Sequence, residues 1–236
     1  AMMSGANSVA LISGQKVTLT FETGQALKVS VDASVVKSLI ENKRLIQTNG
    51  GQVILAANSA QDLMGSTINN TGIASADGVR REGGQVFLVA ETVNQSGNLS
   101  ANSDAAAGGQ IMLTGKSVAL TEASRTTATG ATSGGTVLIG TDKVVPSKVT
   151  RLAEKVTIAE GALVDVSATQ YGNGGSISIW SSIQTAVAGR LKAMGGALGG
   201  NGGFIETSSK GSVVLGKGIA INTTAPKGKS GTWVLD

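Results

Sequence analysis

The chain has 236 residues, with 34 glycines, 41% hydrophobic side chains but only 3% aromatics, and a formal charge of +4 from 19 basic and 15 acidic residues. It contains no cysteine and no histidine, which excludes disulfides, thiolate chemistry and a Cys/His zinc site. It has no block of five or six like charges to serve as a nucleic-acid arm, and no run of 18 apolar residues to span a bilayer.

In chain order, Ala1–Met2–Met3 shows no secretory leader, and the chain reads as a segment of a longer protein. Three short strands are expected at Ser8–Ile12, Lys16–Phe21 and Leu27–Val31, set apart by Gly14 and Gly24. Val17, Leu19 and Phe21 alternate with polar residues, which predicts one buried face. Residues 32–44 break the pattern. Val31, Val35, Val36, Leu39 and Ile40 share one face at helical spacing, Asp32 suits an N-cap, and Lys43 and Arg44 suit a C-terminus. The spacing predicts one short inserted helix.

From Gly50 onward a glycine pair followed by aliphatic residues recurs: GGQVIL at Gly50–Leu55, GGQVFL at Gly83–Leu88, GGQIML at Gly108–Leu113, GGTVLI at Gly134–Ile139, GGSISI at Gly174–Ile179 and GGFIET at Gly202–Thr207, then SGTWVL at Ser230–Leu235. The second glycines stand at 51, 84, 109, 135, 175, 203 and 231, a spacing that marks a stacked-repeat architecture. The column Val53, Val86, Ile111, Val137, Ile177, Ile205 is aliphatic throughout, and Leu55, Leu88, Leu113, Ile139 and Ile179 form a second. The alternation reads as half-buried strands, and their stacking as an all-β solenoid with glycines at its corners, where a positive φ is needed. A second strand follows each glycine strand, best seen at Leu99–Ala101, Val164–Val166 and Leu191–Ala193, and more loosely at Ile73–Ala76 and Ile219–Ile221. The chain is read as a single segment, residues 1–236, making eight or nine coils about 40 Å long.

The steps of 33 and 40 residues locate two extra-helical insertions, near 56–68 and 141–161. The second concentrates charge and carries Pro146, so it is the loop on which binding is most naturally grafted. Catalysis is not expected. The acids are scattered, Asp165 and Lys192 make at most an exposed ion pair, and the glycine run Gly195–Gly203 lacks the context of a phosphate loop. No catalytic, cofactor-binding or metal-binding residue is assigned, no cofactor is expected, and the ligand-binding residues are unknown. Outward Asn, Ser, Thr and Gln with Tyr171 and Trp180 suit glycan contact, with Trp180 placed equally well in the core.

Several stretches together resemble filamentous-haemagglutinin-type exoproteins, the TpsA proteins of two-partner secretion, including high-molecular-weight and biofilm-matrix adhesins. They are VALISGQKVTLTF at Val9–Phe21, SVDASVVKSLIENKRLIQTNGGQVIL at Ser30–Leu55, INNTGIASA at Ile68–Ala76, GGTVLIGTD at Gly134–Asp142, GGNGGFIETSSKG at Gly199–Gly211 and APKGKSGTWVLD at Ala225–Asp236. The resemblance implies a right-handed parallel β-helix, secreted to the surface of a Gram-negative bacterium through an outer-membrane TpsB-type transporter. The NPNG and NPNL motifs of the secretion domain are not in the chain, so the expected position is downstream of that domain. The expected role is attachment to host cells, other bacteria or matrix polysaccharide, through a glycan, an exopolysaccharide or a host receptor, without nucleic acid or membrane insertion. The alternative is a shaft carrying a host-protein-binding or contact-dependent toxin activity.

Overall fold

The structure is a computed structural model describing residues 2–5, 8–13, 16–20, 28–32, 38–57, 66–78, 83–140 and 152–236. Among the described residues every regular element is a strand, and the strands build a parallel β-solenoid. The first sheet stacks Ser8–Ser13, Gln52–Ala57, Gln85–Val89, Gln110–Thr114, Thr136–Ile139, Ser176–Ser181, Phe204–Ser209 and Thr232–Leu235; Met2–Gly5 is added antiparallel on Ser8–Ser13. The second stacks Ser38–Asn42, Ser66–Asn70, Thr92–Gln95, Ser117–Leu120, Lys155–Ile158, Gln184–Val187 and Ser212–Leu215. The third stacks Leu45–Gln47, Ile73–Ser75, Asn98–Ser100, Arg125–Thr127, Leu163–Asp165, Arg190–Lys192 and Ala220–Asn222.

Register follows the repeat. Val86 pairs with Val53 on one side and Ile111 on the other, and Leu88 with Leu55 and Leu113. Both aliphatic columns are fully buried from Val53 to Ile205 and from Leu55 to Ile179. Each such side chain contributes roughly 1.5–3 kcal/mol of burial. Among the described residues the main core cluster holds only aliphatic and alanine side chains.

Three expectations are corrected. The described residues of 32–44 hold strands and no helix: Asp32 ends Lys28–Asp32, an antiparallel partner of Lys16–Thr20, and Ser38–Asn42 pairs parallel with Ser66–Asn70. Ser38, Ile40 and Asn42 are buried while Leu39 is 55% exposed, a period of two that pairing with the next coil imposes over the helical spacing. Residues 33–37 lie outside the described residues, as do Phe21 and the side chains of Val17 and Leu19. The coil count is also lower. Seven strands in each of the second and third sheets make six coil-to-coil steps, about 29 Å. Lys16–Thr20 and Lys28–Asp32 stand where two short strands were expected, and pair antiparallel with each other outside the three stacked sheets.

The glycine pairs are there for a different reason than positive φ, which among them occurs only at Gly50. A Cβ on Gly84 would lie 2.0 Å from the carbonyl oxygen of Gly51, on Gly109 2.0 Å from that of Gly84, and on Gly175 2.0 Å from that of Gly135. Backbone rests on backbone at this corner, and no side chain fits. The N–H of Gly109 donates to the Ala101 carbonyl and that of Gly135 to the Ala128 carbonyl, closing each coil onto its predecessor. Positive φ does serve Gly199 and Gly200 in the Gly195–Gly203 run.

At the end of the second sheet the interior is polar in the first coils. Asn42 Nδ2 donates to Asn70 Oδ1 at 2.7 Å, and Asn70 Nδ2 to Gln95 Oε1 at 2.6 Å. Each amide also donates to a backbone carbonyl, of Ile73, Gly72 and Gly97 in turn. Later coils carry Leu120, Ile158 and Val187 in the same column, all buried.

Candidate functional site

The structure separates the sequence-predicted candidates. Of the stretch 141–161, residues 141–151 lie outside the described residues, and Lys155–Ile158 is an ordinary strand of the second sheet. Of the stretch 56–68, Ala56 and Ala57 end a first-sheet strand, 66–68 begin a second-sheet strand, and 58–65 lie outside the described residues. Asp165 and Lys192 are opposite in register, but Asp165 Oδ1 accepts the Ser167 N–H at 2.9 Å, and no ion pair joins the two. Ion pairs among the described residues are Lys43–Glu41 at 3.0 Å and Lys116–Glu154 at 3.6 Å. No group of three or more acidic, Cys or His side chains that could hold a metal ion occurs among the described residues.

Outside the third sheet runs a shallow groove of about 420 Å³, lined by Leu45, Ile73, Asp77, Ser100 and Arg125 among others. Several of its polar groups are engaged with one another. The Asp77 carboxylate accepts hydrogen bonds from Ser75 Oγ at 2.9 Å, from Ser100 Oγ, and from the Asn102 N–H at 2.6 Å. Asn102 Nδ2 donates to Thr127 Oγ1, and Thr129 donates to Asn102 Oδ1. Arg125 Nη1 donates to the carbonyls of Ser124 and Gly161. Donors and acceptors so matched lace neighbouring coils together and leave little valence for a ligand.

The outer face of the first sheet is arranged differently in its last coils. Ile177, Ile179 and Ser181 point inward and are buried, so Trp180 points out, which settles its placement. One strand on, Phe204 is 40% exposed in an outward column that otherwise holds Ser8, Gln52, Gln85, Gln110, Thr136, Ser176 and Thr232. Between the two rings stands Glu206, whose carboxylate accepts Ser178 Oγ at 2.9 Å and Ser208 Oγ at 3.2 Å. Lys210 Nζ lies 5.8 Å from the Trp180 ring centroid, a cation–π contact. Tyr171, 55% exposed, stands at the corner that leads into Ser176–Ser181. The sequence pattern missed Phe204 and Glu206; the break of a polar column by Phe204 was the available signal.

No family model matches the chain, and no curated protein matches it. Among solved structures it is similar to the HMW1 secretion domain from Haemophilus influenzae, with a TM-score of 0.76 and 26% identity over 98% of this chain. The likeness is to a TpsA-type exoprotein. It supports the two-partner-secretion type coarsely and shares the parallel β-helix. The chain spans 57% of that structure. The solved neighbour is itself a secretion domain, so it lends nothing to the expected position downstream of one.

Proposed function

We propose that the chain is a non-enzymatic β-helical shaft or binding segment of a large secreted adhesin, exported through an outer-membrane TpsB-type transporter of a Gram-negative bacterium. In this role the solenoid holds outward columns at fixed spacing and presents them to host cells, other bacteria or matrix polysaccharide. The observation that supports it is the likeness, over nearly the whole chain, to a TpsA-type β-helix. The test places the chain in its full-length exoprotein, co-expressed with its transporter. The expected result is surface-exposed protein that makes a non-adherent bacterium adhere, and loss of adherence when this segment is deleted while export persists. Unchanged adherence on deletion overturns the reading.

A second reading rests on the neighbour's being a secretion domain. Here the same coils, begun by the antiparallel strand Met2–Gly5, are read by the transporter during export. Deleting the segment then abolishes export itself, which the same experiment measures.

A further inference from the structure

An aromatic side chain that leaves the core exposes costly apolar surface, so its position calls for a reason. Among the described residues the main core cluster of this solenoid contains no aromatic residue, yet Trp180 and Phe204 both stand on the outside of the first sheet, in adjacent strands. Phe204 is opposite Ser176, and Trp180 is opposite Ser208, four residues beyond Phe204. Four residues along the strand and one strand across place the two backbones roughly 14 Å apart. The surface between them is polar and short-chained, with Ser178 and Glu206 side by side.

We propose that this platform binds an uncharged, linear saccharide, laid along the strands with one ring against Trp180 and another against Phe204. Aromatic faces take the apolar faces of sugar rings, while a few placed polar groups fix orientation. Glu206 supplies the acceptors. Each carboxylate oxygen receives one serine hydroxyl and retains a lone pair for a sugar hydroxyl. The carboxylate disfavours sulfated or uronic chains, and the exposed Lys210 side chain, which lies over the indole, swings aside for a sugar ring to stack there. The third-sheet groove has no aromatic ring in its lining, and its Asp77 carboxylate accepts three hydrogen bonds from neighbouring residues. The inference rests on the adhesin reading and names its ligand class and place.

The experiment titrates the 236-residue chain with cellotetraose, chitotetraose, a mannotetraose and a heparin tetrasaccharide, by calorimetry and by ring-proton shifts of Trp180 in a Trp233→Phe background. Saturable binding of at least one neutral probe is expected, with the heparin fragment at least tenfold weaker. Phe204→Ala, Trp180→Ala and Glu206→Gln should each weaken it at least tenfold, Trp180→Phe by less, and Asp77→Asn on the third face not at all. Circular dichroism of each variant checks that the solenoid is intact. Absence of binding by every neutral probe, tighter binding of the heparin fragment, or full affinity in folded Phe204→Ala and Trp180→Ala overturns the platform. Failure of the adhesin reading is distinguishable. If the full-length protein adheres equally well with Phe204→Ala and Trp180→Ala, the platform falls and the reading stands; if the unaltered protein does not adhere, the reading falls.

Discussion

The early and late coils of this solenoid share one backbone plan and differ in what they put on it. Outside the first sheet, the early coils carry a middle column of Ile54, Phe87, Met112 and Leu138 flanked by Gln52, Gln85, Gln110 and Thr136; Ile54, Met112 and Leu138 are buried. The late coils invert this, with Ser178 and Glu206 in the middle and Trp180 and Phe204 at the flanks. Inside the second-sheet corner the change comes sooner along the chain: the first three coils stack Asn42, Asn70 and Gln95, and the coils after them stack Leu120, Ile158 and Val187. A repeat therefore fixes the backbone and the aliphatic columns facing the axis, while the remaining columns are free to differ along the length. Function is to be sought in that freedom.

The largest expected break is at the amide ladder. Asn70→Leu strands the Asn42 amide donor and the Gln95 carbonyl, both in a dry interior, and should cost about 4 kcal/mol by urea denaturation. Replacing Asn42, Asn70 and Gln95 together by leucine, as the later coils do, should recover most of that loss; a triple variant as unstable as the single one would show that the corner cannot accept the late-coil solution. Next, Met112→Ala should cost about 3 kcal/mol because Met112, although it faces outward, is only 2% exposed. A cost under 1 kcal/mol would mean the early outer face is not buried in solution.

A smaller change has the opposite sign. Thr126 is fully buried between Leu99 and Val164 in the third-sheet column, and its hydroxyl has no hydrogen-bond partner. Thr126→Val keeps the shape and removes the orphaned group, so thermal unfolding should rise with a gain of about 1 kcal/mol. The smallest effect on folding belongs to the proposed platform. Phe204→Ser should leave stability within about 0.5 kcal/mol, as for a surface position; a loss comparable to that of Met112→Ala would make Phe204 a packing residue.

Much of the fold was readable because period-two alternation and glycine pairing are local signals. The columns through Val53 and Leu55 stand where the repeat placed them. The second sheet was not read, although Val93 and Val118 each follow a second glycine by nine residues and Thr185 and Val213 by ten. Its inward column changes chemistry from Gln95 to Leu120, and a pattern search based on hydrophobicity treats those as unlike. The stretch from Ser38 misled for a related reason: Leu39 beside Ile40 mimics a helical face, whereas one is exposed and the other buried. The site was least legible. Whether Trp180 faces inward depends on strand continuity through Ser181, and Phe204 becomes unusual only beside the six polar residues stacked before it.

The glycine corner also bears on how such a chain changes length over time. Because the contact there is peptide against peptide, a coil beginning with the pair meets any other such coil in the same way. Its acceptance of a neighbour depends on nothing the neighbour's side chains present at that joint. Duplication or loss of a whole coil therefore requires no compensating substitution at this corner, and the molecule's reach is heritable as a number of units.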